Sequence, residues 1–149
     1  MAYIDSNLMT GERVLGRARV HKIIFAWPLI WLFLALISMD NKIISGIAFF
    51  FASTTGLVSF VNYWSAEFGV TNKRVIMKTG LVRRNSFEVL LTKVEGIQVN
   101  QTISGRIFDY GTVVITGTGG SADPFLYIAK PLDFRRKIQE QVSVVQSNR

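Results

Sequence analysis

The run IIFAWPLIWLFLALISM-DNK-IISGIAFFFASTTGLVSFV, Ile23 to Val61, decides how the rest of the chain is read. Ile23–Met39 is seventeen residues without a charge, Ile43–Val61 is nineteen, and only Asp40, Asn41 and Lys42 separate them. A bilayer core takes about 20 helical residues, with a range of about 17–25. A three-residue polar turn between two such runs predicts an antiparallel hairpin that returns the chain to the side it left. Trp27, Trp31 and Phe49-Phe50-Phe51 put bulk all around both helices, leaving no polar stripe to face water. Twenty-two residues precede the first run and no small-residue cleavage motif follows it, which argues against a signal peptide. A helix starting at Pro28 has only twelve residues to Met39, so a first helix that crosses must carry Pro28 as a kink. The alternative is a re-entrant hairpin.

Arg13, Arg17, Arg19 and Lys22 flank the hairpin on one side and Lys73, Arg74 and Lys78 on the other, whereas its turn holds one lysine. By the positive-inside rule both termini and the downstream domain are expected in the cytoplasm. Tyr63 and Trp64 close the second run as an interfacial aromatic pair. Ala48, Ala52 and Gly56 recur every four residues, a stripe that lets another helix approach closely. Packing against the first helix of the same chain is one reading, self-association the other. Ser53, Thr54 and Thr55 bond back to helix carbonyls in this reading and need no substrate to explain them.

The flanks are of ordinary soluble composition. Net charge is +7, of which residues 1–62 carry +2 and residues 63–149 carry +5. In a soluble protein this basicity would point to nucleic acid; beside a membrane anchor, anionic lipid is the nearer partner and nucleic acid is not expected. There is no cysteine and one histidine, His21, so thiolate chemistry and a histidine metal centre are excluded. Acidic residues are scattered without a spacing that suits acid–base work. Gly117-Thr118-Gly119-Gly120 is followed by Asp123-Pro124 and another strand pattern, so it reads as a hairpin loop and not as a phosphate cradle. No catalytic residue, metal or cofactor is expected.

From residue 63 onward the pattern is of short strands: Tyr63–Val70, Arg74–Lys78, a Thr79-Gly80 turn, Leu81–Leu91, Val94–Val99, Thr112–Thr118 and Phe125–Ile128. Ser104–Tyr110 reads as a short helical turn. Pro131 opens a helix with Phe134, Ile138, Val142 and Val145 along one side. Strands in hairpin order followed by one amphipathic helix predict a curled sheet whose open end the helix plugs. The expected organisation is an N-terminal segment 1–22, a membrane hairpin 23–62 (helices 23–39 and 43–61) and a β-rich domain 63–149.

Three ordered stretches carry a family resemblance: Phe68-Gly69-Val70-Thr71-Asn72-Lys73-Arg74-Val75-Ile76 with Gly80-Leu81-Val82-Arg83; Leu90-Leu91-Thr92-Lys93-Val94-Glu95-Gly96-Ile97-Gln98-Val99-Asn100-Gln101; and Gly105-Arg106-Ile107-Phe108-Asp109-Tyr110-Gly111 before the next strand. With the lead-in Leu8-Met9-Thr10-Gly11-Glu12-Arg13-Val14, they make the chain resemble the bacterial pleckstrin-homology-like membrane proteins over roughly residues 8–145. The resemblance implies a membrane α-hairpin plus a mainly-β PH-like domain, a bent, partly open antiparallel barrel of about seven strands capped by a C-terminal α-helix. It implies a multi-pass protein of the bacterial inner membrane. It also implies an interaction or self-assembly module, with membrane lipids, further copies of the chain or an unidentified membrane or cytoplasmic protein as partners.

Candidate contact residues for anionic lipid or a partner are Lys73, Arg74, Lys78, Arg83, Arg84 and Lys93, read against a solvated strand face that opposes edge pairing. The Arg-x-Arg of phosphoinositide-binding PH domains has no counterpart here. Arg106, alone in an apolar turn, is expected to pin that turn to a carboxylate such as Glu95. The functional expectation is a non-enzymatic membrane-anchored scaffold; the alternative is a lipid-sensing module that uses its basic face.

Overall fold

The structure is a computed structural model of the chain and describes residues 3–80, 85–120 and 122–147. Seven strands form two antiparallel sheets. The first is ordered β1 (Val14–Ala18), β2 (Glu67–Thr71), β3 (Arg74–Thr79) and β4 (Asn85–Leu90). The second is ordered β5 (Val94–Asn100), β6 (Tyr110–Gly117) and β7 (Ala122–Ala129). Along β6, Gly111, Val113, Ile115 and Gly117 are buried in strict alternation, the period-2 signature of a sheet with one face on a core. Val70, Val75, Met77, Val113, Ile115 and Ile128 fill the space between the sheets. Helix α5 (Pro131–Ser147) begins on Pro131, whose missing N–H costs nothing in a first turn. Its Phe134 and Ile138 enter the core, with Val142 and Val145 packed beside them. The sheets do not close into a barrel. One seam is stitched by a bridge of Val20 to Ile128, with the Ala129 N–H donating to the Arg19 carbonyl and the His21 N–H to the Tyr127 carbonyl.

The domain boundary differs from the sequence expectation. The sheet's edge strand is β1, which lies before the apolar run, and β1 pairs with β2, which lies after it (Arg17 with Gly69, Ala18 with Phe68). The helical hairpin is thus an insertion between the first two strands, and residues 3–21 belong to the β domain. A five-residue strand holding one glycine and one arginine gives too short an alternation to read unaided. The second run's helix, α3, extends through Lys42–Ser65, so Tyr63 and Trp64 are helical and the strand begins only at Glu67. Helix α1 (Tyr3–Ser6) lies on β2: both oxygens of Glu67 accept backbone N–H groups, from Tyr3 at 3.0 Å and Ile4 at 3.2 Å.

The first leg of the hairpin is a 3-10 turn, Lys22–Phe25, followed by α2 (Ala26–Ile37). Pro28 falls in the first turn of α2, where its missing N–H is tolerated, and the α-helix is the short, twelve-residue one that the sequence allowed if Pro28 lay at its start. At 1.5 Å per residue α2 is about 18 Å long, and about 26 Å with its 3-10 lead-in. Helix α3 reaches about 36 Å and is the one helix among the described residues long and apolar enough to cross a membrane. Only 17% of its most apolar window is buried, where a soluble core helix would be mostly covered.

Two serines of α3 complete the backbone bonding of α2. Pro28 has no N–H to give the Ile24 carbonyl, and Ser59 Oγ donates to it at 3.0 Å. At the other end, Ser45 Oγ donates to the Ala35 carbonyl, one of the four left over by the helix C-terminus, at 3.0 Å. Between these bonds Ala48 and Ala52 are buried, and the space above Gly56 is met by Pro28. The stripe of small residues faces the same chain's α2.

Candidate functional site

The turn between β2 and β3 carries Thr71, Asn72, Lys73 and Arg74, and all four fasten the segment that precedes β1. Glu12 is buried, and each of its carboxylate oxygens accepts two hydrogen bonds. Oε1 takes Thr71 Oγ1 at 2.7 Å and Arg74 Nε at 2.9 Å. Oε2 takes the Met9 N–H at 2.7 Å and Arg74 Nη2 at 3.0 Å. Arg74 reaches further, donating from Nη1 to Glu88 at 2.6 Å and from Nη2 to the Asn7 carbonyl at 2.6 Å. Asn72 and Lys73 hold the neighbouring backbone: Asn72 Oδ1 accepts the Arg13 N–H at 2.8 Å, and Lys73 Nζ donates to the Thr10 carbonyl at 2.8 Å. Burial pushes the Glu12 carboxyl up, but the Met9 N–H, Arg74 and Thr71 together hold it below its ordinary value of 4.5. Burial likewise pulls Arg74 down, and Glu12 and Glu88 outweigh it, leaving the guanidinium above its ordinary value. This clasp ties the segment before β1 to the β2–β3 turn, at the end of the sheet opposite the hairpin. It also removes Arg74 from the set of lipid- or partner-contact candidates, because its guanidinium is buried and committed to two carboxylates.

The remaining basic candidates do not form one face. β2 runs from Glu67, next to the hairpin, to Thr71, so Lys73 lies about 13–17 Å further along the sheet at 3.3 Å per residue. Leu91 is tied to the same place, its N–H donating to the Lys73 carbonyl at 3.0 Å, and Lys93 follows in the same 3-10 turn, Leu91–Lys93. Both exposed lysines therefore sit more than one Debye length, about 8–10 Å, along the strand from the hairpin. Lys78 is near the hairpin, paired in register with Glu67, and its Nζ stands 4.8 Å over the Tyr3 ring. Arg83 and Arg84 lie outside the described residues. Arg106 is exposed and has no ion pair among the described residues, so the turn it occupies is held otherwise.

That turn, α4 (Ile103–Ile107), is fixed by polar clamps. Thr102 Oγ1 accepts the Gly105 N–H at 3.1 Å, and Gln101 Nε2 donates to the Gly105 carbonyl at 3.2 Å and the Tyr110 carbonyl at 3.1 Å. Gly105 and Gly111 permit the close packing: a Cβ on either would lie 2.6 Å from the Tyr110 carbonyl oxygen or 2.8 Å from that of Asn100. The residues that carried the resemblance, Gln101, Gly105, Tyr110 and Gly111, are thus the joint between β5 and β6.

At the root of the hairpin the chain builds an aromatic cluster and a cleft. His21 caps the 3-10 turn, its Nδ1 accepting the Ile23 N–H at 3.1 Å, and its ring stacks on Tyr110 with centroids 5.4 Å apart. Tyr127 lies 6.3 Å beyond Tyr110. Phe25 and Tyr63 join the two legs, 5.5 Å apart. β7 carries one extra residue here: Val113 opposes Phe125 and Gly111 opposes Ile128. Tyr127 takes up the bulge with φ 57°, a rare conformation for a bulky side chain. Beside it opens a cleft of about 620 Å³, lined by Val20, Ile24, Phe68 and Phe87 and by the polar Asn62, Thr79, Asn85 and Ser86. Its volume is in the range of small-molecule sites, and its lining is mixed, with polar groups nearly matching the apolar ones. No three His, Cys, Asp or Glu side chains converge among the described residues.

A model of the bacterial PH domain matches residues 13–142. No curated protein and no solved structure matches the chain.

Proposed function

The chain belongs to the bacterial PH domain family, and from that premise we propose that it is a non-catalytic, membrane-anchored interaction module. The apolar hairpin holds the PH-like domain against the cytoplasmic face of the inner membrane. The observation that carries this reading is the exposure of the hairpin: Phe33, Ile37, Ile43, Phe50, Leu57 and Trp64 all point away from the protein. Contiguous apolar surface on that scale requires a covering, and α3 has the length to cross a bilayer core of about 30 Å. Its shorter partner returns through α2, the 3-10 turn and the polar turn at Asp40–Asn41. Because the hairpin is spliced between β1 and β2, both legs leave the domain from one end and hold it in a fixed orientation. A PH-like domain presented this way suits capture of protein partners or assembly with further copies.

Membrane fractionation tests the anchor: the chain should resist alkaline carbonate extraction, and its β domain should be cut by protease added to inside-out vesicles and not to spheroplasts. Release by carbonate, or cleavage in spheroplasts, refutes it. Native mass measurement in detergent tests the assembly: the expected result is a discrete oligomer or a stoichiometric partner, and a strict monomer at all concentrations in native membrane extracts counts against it.

The second reading, a lipid-binding module, draws its support from the cleft at the hairpin root rather than from a basic face. Under that reading one lipid per chain co-purifies in native mass spectra, and Ser86→Trp, which puts bulk into the cleft, abolishes that co-purification. Retention of the lipid by that variant excludes the cleft.

A further inference from the structure

The apolar side chains of α4 face away from the protein. Ile103 is 81% exposed, Ile107 72% and Phe108 55%, and Leu126 on the neighbouring β7 bulge is 58% exposed. This outward display is built in. Gln101, Thr102 and Gly105 lock the α4 backbone by hydrogen bonds and close packing, so the three side chains have no route into the core. The extra residue at Tyr127 likewise turns Leu126 out while Phe125 and Ile128 stay buried. The elbow is adjacent to the root of the hairpin: Tyr110, two residues after Phe108, stacks on His21, the cap of the first leg, and Tyr127 packs on Tyr110. Arg106, Lys130 and Lys22 are exposed around it, together with Asp109, whose backbone carbonyl is tied to the Lys130 N–H.

We infer that this elbow, Ile103, Ile107, Phe108 and Leu126, is a second membrane contact that inserts into the head-group boundary beside the hairpin. The inference rests on the anchoring proposed above, since the contact of Tyr110 with His21, at the base of the hairpin's first leg, is what brings a bilayer to the elbow. Aromatic rings at the head-group level, apolar tips below them and cations able to snorkel upward are the composition that such a boundary selects. With the hairpin as one support and the elbow as another, the domain is seated on the bilayer in one tilt. The sheet end bearing the Glu12–Arg74 clasp then faces the cytoplasm.

The chain has no cysteine, so a single introduced thiol is a unique probe. Ile107→Cys, Phe50→Cys and Thr92→Cys, each in the full chain, are given a nitroxide and reconstituted in vesicles of phosphatidylethanolamine and phosphatidylglycerol. Collision with oxygen, which concentrates in lipid, is compared with collision with a water-soluble nickel chelate. The expected result is an oxygen-favoured label at positions 107 and 50 and a nickel-favoured label at 92, on the far end of the domain. A label at 107 as aqueous as that at 92, with 50 still in lipid, overturns the inference while leaving the anchor standing. A label at 107 shielded from both reagents also overturns it, in favour of a protein contact. An aqueous label at 50 overturns the anchor, and the inference with it.

Discussion

Replacing Arg74 by methionine should unfasten the segment before β1 from the sheet. The change keeps most of the side chain's length and removes its charge, leaving Glu12 buried without its main partner. Glu12 would retain the Met9 N–H and the Thr71 hydroxyl and lose both guanidinium bonds, at 2.9 and 3.0 Å. Removing one partner of a buried ion pair costs about 3–5 kcal/mol. At about 2–4 °C per kcal/mol for a chain of this size, the thermal midpoint in detergent should fall by roughly 10 °C. Far-UV circular dichroism reads that midpoint, and hydrogen exchange at the Asn72–Arg74 amides reports the local loss. The double variant Glu12→Leu/Arg74→Met removes the orphaned charge, so its loss should be smaller than the sum of the two single losses, with a coupling of about 0.5–3 kcal/mol. Acid should act on the same bond. The folded Glu12 value is depressed, so its contribution is complete above the ordinary value of 4.5 and is lost as pH falls through the lower folded value. Arg74→Met should lack that acid-sensitive component. A single-variant loss below about 1 kcal/mol, or additivity in the double variant, would refute the view that the clasp holds the segment before β1 on the sheet.

Ser59→Ala should leave the Ile24 carbonyl without a donor and weaken the hairpin by about 0.6–1.7 kcal/mol, read by unfolding in mixed micelles. Adding Pro28→Ala should restore part of that loss, because residue 28 then has an N–H to offer the same carbonyl. Gly105→Ala and Gly111→Ala should each lower the thermal midpoint by several degrees, since backbone carbonyls stand 2.6 and 2.8 Å from the new Cβ. Gly46→Ala on α3, with nothing within 4 Å, should be neutral or stabilising in the same melt. Charge reversal at Lys73 and Lys93 should leave retention of the full chain on anionic vesicles unchanged, because both lie beyond a Debye length from the hairpin root; a marked loss in a flotation assay would contradict that placement.

The order of elements after the hairpin was legible in residues alone. Alternation along Thr112–Thr118 and the Pro131 helix with its Phe134 and Ile138 stripe each follow from a local period, and local preferences need no knowledge of the fold. The apolar hairpin was legible for the same reason: length and polarity are sums over neighbours in sequence. The Thr79-Gly80 turn signal does not hold: Thr79 is still in β3, paired with Asn85 at the start of β4, and residues 81–84 of the expected strand Leu81–Leu91 lie outside the described residues. β1 was not legible, because five residues on the near side of the insertion give too few periods to recognise, and their pairing with β2 is a long-range contact. Arg74 was misread for a related cause. A charged residue in a strand reads as solvated unless something marks it as paired, and its partner Glu12 stands sixty-two residues away. The sequence by itself determined the apolar character of the two runs and most of the strand and helix order that follows them. Only the tertiary structure decided that the hairpin is spliced into the sheet, that one arginine of the basic set is a buried clasp, and that an apolar elbow stands beside the hairpin root. Those outcomes depend on which distant residues are brought within a few ångströms, and no local period encodes that.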